Sequence, residues 1–197
     1  MRLHEGSTKP MKPELFQRVI DTVAEQSQDV LRDTAILQVS YRVGLRAREI
    51  AGLALADLLD NEGQIKSQVT LRKKTTKGSK GGTAYFTHPD LRAALTKYIV
   101  EKRSTLSTEY DNVFISKKKT PFSPSSMSRL FSNIYHKAGL EGYSSHAGRK
   151  GLARVLNEQN VSVYNIQKIL RHSNVQTTIN HYLSVDEDVL AKIVGNV

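Results

Sequence analysis

The chain has no cysteine among its 197 residues. That absence excludes a disulfide framework, a cysteine-ligated zinc finger or iron–sulfur cluster, and a thiol nucleophile. Long apolar runs are missing too. Stretches such as Ile50-Ala51-Gly52-Leu53-Ala54-Leu55-Ala56 fall far short of the roughly 20 residues that a membrane-spanning helix needs. The N-terminus, Met1-Arg2-Leu3-His4-Glu5, has no apolar stretch of the kind found in secretory signals, so the expected setting is the cytoplasm. Internal repeats and low-complexity segments are absent. Acidic residues are comparatively few, 19 against 29 Lys and Arg, which leaves a net charge of +10. Hydrophobic residues at 39 % and charged residues at 24 % are ordinary for a globular domain with a proper core. The positive excess points to a polyanion, most often nucleic acid. Composition alone leaves open a basic surface with no specific partner.

The apolar residues that are present set a mainly helical pattern with one β interruption. Leu15, Phe16, Val19 and Val23 follow helical spacing behind Pro13. Residues 30–42 read as a second helix ended by Gly44, and Arg46–Leu53 as a short third. Ile65, Val69 and Leu71 then sit in a β-prone run, and Thr83-Ala84-Tyr85-Phe86-Thr87 in another. The glycines between them predict a hairpin. Its basic residues, Lys66, Arg72, Lys73, Lys74, Lys77 and Lys80, have no acid among them. Such a hairpin is either a finger that touches phosphate or an edge kept soluble by lysine. Beyond it, helices are predicted from Pro89 to about Arg103, from Ser123-Pro124 to Gly139, and around 149–158, 162–170 and 174–182, with an extended piece at Val113-Phe114-Ile115-Ser116. A last amphipathic segment carries Val185, Val189, Leu190, Ile193 and Val194. The fold class is therefore mainly α with a small antiparallel hairpin. The expected organisation is a flexible arm over 1–11, one domain over 12–184 and a C-terminal segment over 185–197.

Four short pieces carry the chemistry. They are Gly44-Leu45-Arg46-Ala47-Arg48-Glu49-Ile50, Lys77-Gly78-Ser79-Lys80, Ser145-His146-Ala147-Gly148-Arg149, and Leu170-Arg171-His172-Ser173-Asn174 followed by Tyr182. At these residues the sequence resembles the tyrosine recombinase (phage integrase) family. The order matches: Arg in a G-L-R-x-x-E helix start, Lys in a hairpin, H-x-x-R, L-x-H-S, and a Tyr ten residues after that His. Each piece alone is weak, and their order over residues 44–182 is what makes the signal specific.

The resemblance implies the catalytic-domain fold of that family and attack of the Tyr182 oxygen on a DNA phosphodiester. The products are a 3′-phosphotyrosine link and a free 5′-hydroxyl. It further implies Arg46 and Arg149 as a guanidinium clamp on the phosphate, a role that suits a permanently charged, bidentate donor. Lys77 is the implied general acid for the leaving 5′-oxygen, with Lys74 and Lys80 as rivals. His146 and the arginines would assist ionisation of Tyr182, whose ordinary pKa is near ~10. His172 would donate to a non-bridging oxygen. Lys73, Lys74, Lys80 and Arg171 are expected to touch DNA. The covalent link conserves the energy of the broken bond, so no cofactor, metal or ATP is called for.

More ordinary readings stand beside these. Arg46 could simply pair with Glu49 at i, i+3, His146 and His172 could be structural, and Tyr182 could be core. Two positions depart from the family pattern: Arg171 stands where a glycine is usual, and Gly148 where a leucine is usual. The chain also lacks room for the N-terminal DNA-binding domain that many members carry. It is similar to the short fimbrial phase-variation invertases, or is an excised catalytic domain, with Met1 favouring a whole gene product. Double-stranded DNA is the expected partner. Residues 185–197 are expected to dock on a neighbouring copy, giving a homo-oligomer, a tetramer on paired sites; packing within one copy is the competing expectation. The function implied is an integrase or invertase of a bacterial, nucleoid-associated kind. A non-catalytic DNA-binding relative and a type IB topoisomerase-like nicking and resealing enzyme are the alternatives.

Overall fold

A computed structural model describes residues 8–72, 81–106 and 109–182, without the side chains of Thr177, Asn180, His181 and Tyr182. Helix α1 spans Pro13–Gln26 and buries Phe16, Val19 and Val23, the stripe that its spacing predicts. Helix α2, Val30–Gln38, is capped by the Asp29 carboxylate and runs directly into a π-helical turn, Val39–Val43. The single helix expected over 30–42 therefore changes its winding before it ends. Gly44 stops it in the left-handed conformation (φ 67°), which glycine adopts without steric cost. Short helices α3, Ala47–Ala51, and α4, Leu55–Leu58, follow.

Strands β1, Gln68–Leu71, and β2, Gly82–Tyr85, pair antiparallel with Gln68 opposite Tyr85 and Leu71 opposite Gly82. Val69, Leu71 and Ala84 face the core while Gln68, Thr70 and Tyr85 face out, the alternation of a half-buried sheet. The expected hairpin is therefore present at its base. Its connecting lysines, Lys73, Lys74, Lys77 and Lys80, lie outside the described residues.

Helix α5 is Pro89–Glu101, α6 Pro124–Lys137, α7 Ala147–Glu158, α8 Val163–Leu170 and α9 Val175–Tyr182. A main core joins α1, α2, α5, α6 and the sheet. A smaller cluster of Ala153, Ile166 and Leu170 packs α7 on α8. Gly44 lies at the seam, where a Cβ would sit 3.0 Å from both Leu152 and Leu170.

The expected loose arm differs in its described part. Thr8 and Met11 are buried. The Ser144 N–H donates to Thr8 Oγ1 (3.0 Å) and the Met11 N–H to the Ala147 carbonyl (3.0 Å). Residues 8–11 are thus seated on the start of α7, because a buried apolar Met11 and two hydrogen bonds offset the entropy of ordering them.

Candidate active site

The site grows from the turn after the π-helical segment. Gly44 reverses the chain, Leu45 is buried, and Arg46 takes an extended conformation (φ −76°, ψ 156°) as the N-cap of α3. Glu49, one turn on, reaches back: its Oε2 accepts from the Arg46 N–H (2.9 Å) and its Oε1 from Arg46 Nη1 (2.9 Å). This is the carboxylate half of a capping box. The i, i+3 ion pair considered from the sequence therefore exists. It leaves the Arg46 side chain 24 % exposed, against 1 % for Glu49. Pairing and availability to a ligand coexist in one residue.

Arg149 lies on the first turn of α7, behind Gly148, and its side chain is fully buried. Its guanidinium donates to the carbonyls of Gly44 and Leu170, joining the Arg46 turn to the end of α8. Gly148 has its own steric reason. A Cβ there would lie 2.6 Å from Ser40 Oγ, so the residue before Arg149 lets α7 approach the π-helical turn closely. His146 is the N-cap of α7 and keeps an exposed face. Desolvation, then the charges of Arg149, Arg46 and Lys150, hold its pKa below the ordinary histidine value, with Glu49 opposing. A neutral imidazole at pH 7 can accept a proton.

His172 follows the left-handed Arg171 (φ 55°, ψ 43°) at the end of α8 and is buried. Its Nδ1 is hydrogen-bonded to Thr178 Oγ1 at 2.7 Å, a contact that fixes the orientation of the ring. Thr178 is on α9, as is Tyr182 four residues later. Tyr182 thus ends the helix that Thr178 ties to the His172 turn, while its side chain lies outside the described residues. Lys77, Lys73, Lys74 and Lys80 do as well.

Two participants were not singled out from the sequence. Glu49 is buried among Arg46, Arg149 and Arg171. Burial opposes its ionisation, but Arg171, the Arg46 N–H and guanidinium, and Arg149 together hold its pKa below the ordinary carboxylate value. The G-L-R-x-x-E spacing was its signal. Thr178 had none, because its contact with His172 depends on how α8 and α9 pack. Arg171, expected at DNA, turns inward instead. Its Nη2 meets Glu49 Oε2 at 3.3 Å, and its side chain is 6 % exposed.

The described residues thus gather three guanidinium groups, one carboxylate and two imidazoles where α3, α7 and α8 meet. The partly exposed Arg46 can meet an oxyanion there, whereas Arg149 and Arg171 are engaged by the Gly44 and Leu170 carbonyls and by Glu49.

The family model described as "Phage integrase family" matches residues 9–188. The chain belongs to that family. Among curated relatives, Transposase A from transposon Tn554 of Staphylococcus aureus is 28 % identical over 96 % of this chain and 52 % of its own length. Tyrosine recombinase XerC of Caldanaerobacter subterraneus is 28 % identical over 83 % of this chain and 44 % of its own. The chain spans about half the length of these curated relatives. Among solved structures, XerA recombinase superposes with a TM-score of 0.76 at 21 % identity, covering 97 % of this chain and 66 % of that one. The XerH site-specific recombinase bound to its difH substrate superposes with a TM-score of 0.72 at 17 % identity, covering 98 % of this chain and 55 % of that one. The mainly helical fold with its small two-stranded sheet is therefore that of these recombinase structures. Among the described residues, no helix is long and apolar enough to cross a membrane.

Proposed function

We propose that this chain is the catalytic part of a site-specific DNA recombinase, cutting and rejoining duplex DNA through a 3′-phosphotyrosine intermediate. The observation that carries this reading is the convergence of Arg46, His146, Arg149 and His172 on one turn-rich junction, with Tyr182 on the helix that Thr178 ties to His172.

The chemistry balances with this chain's own groups. The Tyr182 phenol gives up its proton, with neutral His146 as acceptor. Its oxygen attacks phosphorus and the P–O5′ bond breaks. The leaving 5′-oxygen takes a proton from Lys77, the hairpin lysine assigned as general acid. Arg46 and Arg149 balance the charge that grows on the non-bridging oxygens, and His172 donates through Nε2. Religation reverses the steps, with a 5′-hydroxyl attacking the phosphotyrosine and Tyr182 leaving. Because Arg149 is buried against two backbone carbonyls, its contact with phosphate requires a local rearrangement when DNA binds. Double-stranded DNA is the substrate in this reading, and Lys73, Lys74 and Lys80 track its backbone. Residues 185–197 dock on a neighbouring copy, so that a homo-oligomer, a tetramer on paired sites, performs strand exchange. Membership of the phage integrase family supports the reaction type. The relatives' names, transposase and recombinase, support a role in moving or resolving DNA segments.

The test uses nicked suicide duplexes with a randomised core, from which the 5′-hydroxyl strand diffuses away after cleavage. A denaturation-resistant protein–DNA adduct is expected with the unaltered chain and none with Tyr182→Phe. Persistence of the adduct in that variant would reject Tyr182 as nucleophile.

A further inference from the structure

Arg171 occupies the C-cap of α8 in the left-handed conformation (φ 55°, ψ 43°). Glycine fits such a position without steric cost, whereas an arginine there must be offset by what its side chain does. Here the side chain works inward. Nη1 donates to the Ile169 carbonyl (2.8 Å), and Nη2 donates to the Gly44 carbonyl (3.2 Å) and to Glu49 Oε2 (3.3 Å). Its aliphatic stem lies on Gly82, where a Cβ would come within 2.8 Å of Arg171 Cδ. One side chain therefore touches four places: the end of α8 beside His172, the turn two residues before Arg46, the carboxylate that grips Arg46, and the first residue of β2.

We propose that Arg171 is a positioning residue for DNA cleavage: through Glu49 and the Gly44 carbonyl it sets Arg46, and through Gly82 it fixes the foot of the basic hairpin to the His172 turn. The proposal rests on the recombinase reading for its consequence, but not for its geometry. Glu49 divides its two oxygens between Arg46 and Arg171. Without Arg171 the carboxylate keeps Arg46 but loses the second anchor that orients it. A phosphate contact by Arg171 would instead require the guanidinium to leave both Glu49 and the Gly44 carbonyl.

Three variants separate these roles. Arg171→Gly keeps the left-handed backbone and deletes the side chain. Arg171→Gln removes the charge. Arg171→Lys keeps a charge but not the planar fork. The first measurement is the carboxyl carbon titration of Glu49 by NMR in the free protein, where Arg46, Arg149, His146 and Arg171 are the charged or titratable groups around it. An upward move of the Glu49 midpoint is expected with Gly and Gln and a smaller one with Lys; an unmoved midpoint in all three overturns the proposal. The second is the salt dependence of binding to a 30-base-pair duplex of arbitrary sequence. An unchanged slope is expected, whereas a slope shallower by about 0.9 marks a lost phosphate contact and overturns it. The third is adduct formation on the nicked duplexes. A rate about 10²-fold lower with Gly, not rescued by Lys, is expected; a wild-type rate in Arg171→Gly overturns it. If the unaltered chain forms no adduct, it is the recombinase reading that fails, and the Glu49 titration still decides whether Arg171 anchors that carboxylate.

Discussion

His146 stands beside two arginines and a lysine, and burial and those charges set its protonation. Desolvation and those charges both disfavour the imidazolium, so in the free protein its NMR titration midpoint is expected below the ordinary 6.5. A phosphodiester brings a negative charge to the same place. Adding duplex DNA should therefore move the midpoint upward, and a midpoint unmoved by DNA would place the phosphate away from His146. Glu49 has the opposite sign. Its folded-state pKa is lowered, so its contribution to stability is present above its unfolded value and lost as pH falls through the folded value. Glu49→Gln leaves the buried Arg171 without its anion, which costs about 3–5 kcal/mol at pH 7 for a broken buried pair. Urea midpoints at pH 7 and at pH 4 or below should show the gap between the two proteins narrowing as the wild-type carboxylate is neutralised. At this scale the sequence supplied Arg46, His146, Arg149 and His172 by their order. It supplied Glu49 only as a spacing, and it did not show that the Arg171 side chain meets Glu49. Whether an arginine points to solvent or to a buried carboxylate depends on what the fold places on each side of it.

Among the elements, α7 carries the strictest demands. Its two glycines, Gly148 and Gly151, are the points where it meets Ser40 of the π-helical turn and the Met11 carbonyl of the N-terminal segment. Glycine lowers helix propensity by about 1 kcal/mol relative to alanine, so on local grounds Gly151→Ala should stabilise. The contact reverses the sign: a Cβ at 151 runs into the Met11 carbonyl and sits 2.8 Å from the Tyr41 ring. Gly151→Ala is expected to destabilise by about 1–3 kcal/mol, in the range of overpacked cores, measured by thermal or urea unfolding. A stabilised variant would mean that residues 8–11 do not sit on α7. The helices and the hairpin base were legible from apolar periodicity, Pro13, Pro89 and Pro124 at helix starts, and Gly44 at a stop. The π-helical winding of 39–43 was not, because apolar spacing over so few residues does not separate α from π.

For the whole molecule, the charge of +10 acquires a division of labour. Arg171 is neutralised internally by Glu49, Arg32 by Asp29 and Asp33, and Arg72 by Asp57 and Asp111. These cations add little to a surface field, whereas Arg46 and the hairpin lysines are the proposed phosphate contacts. Binding to duplex DNA should weaken with salt along a line in log K against log[salt] whose slope is about −0.9 per phosphate contact. Lys74→Ala combined with Lys80→Ala is expected to flatten it by about 1.8. An unchanged slope would remove the hairpin from the DNA interface.

The sequence by itself determined the fold class, the position of most helices and of the hairpin base, the phage integrase resemblance and the order of the motif residues. These are local or one-dimensional properties: periodicity, turn chemistry and motif order along a single chain. Only the tertiary structure decided the rest. It showed that Glu49 lies between Arg46 and Arg171, that Thr178 fixes His172 from the next helix, and that residues 8–11 are packed against the start of α7. Each is a contact made through three-dimensional packing, where burial strengthens electrostatics and a missing Cβ decides how close two backbones come.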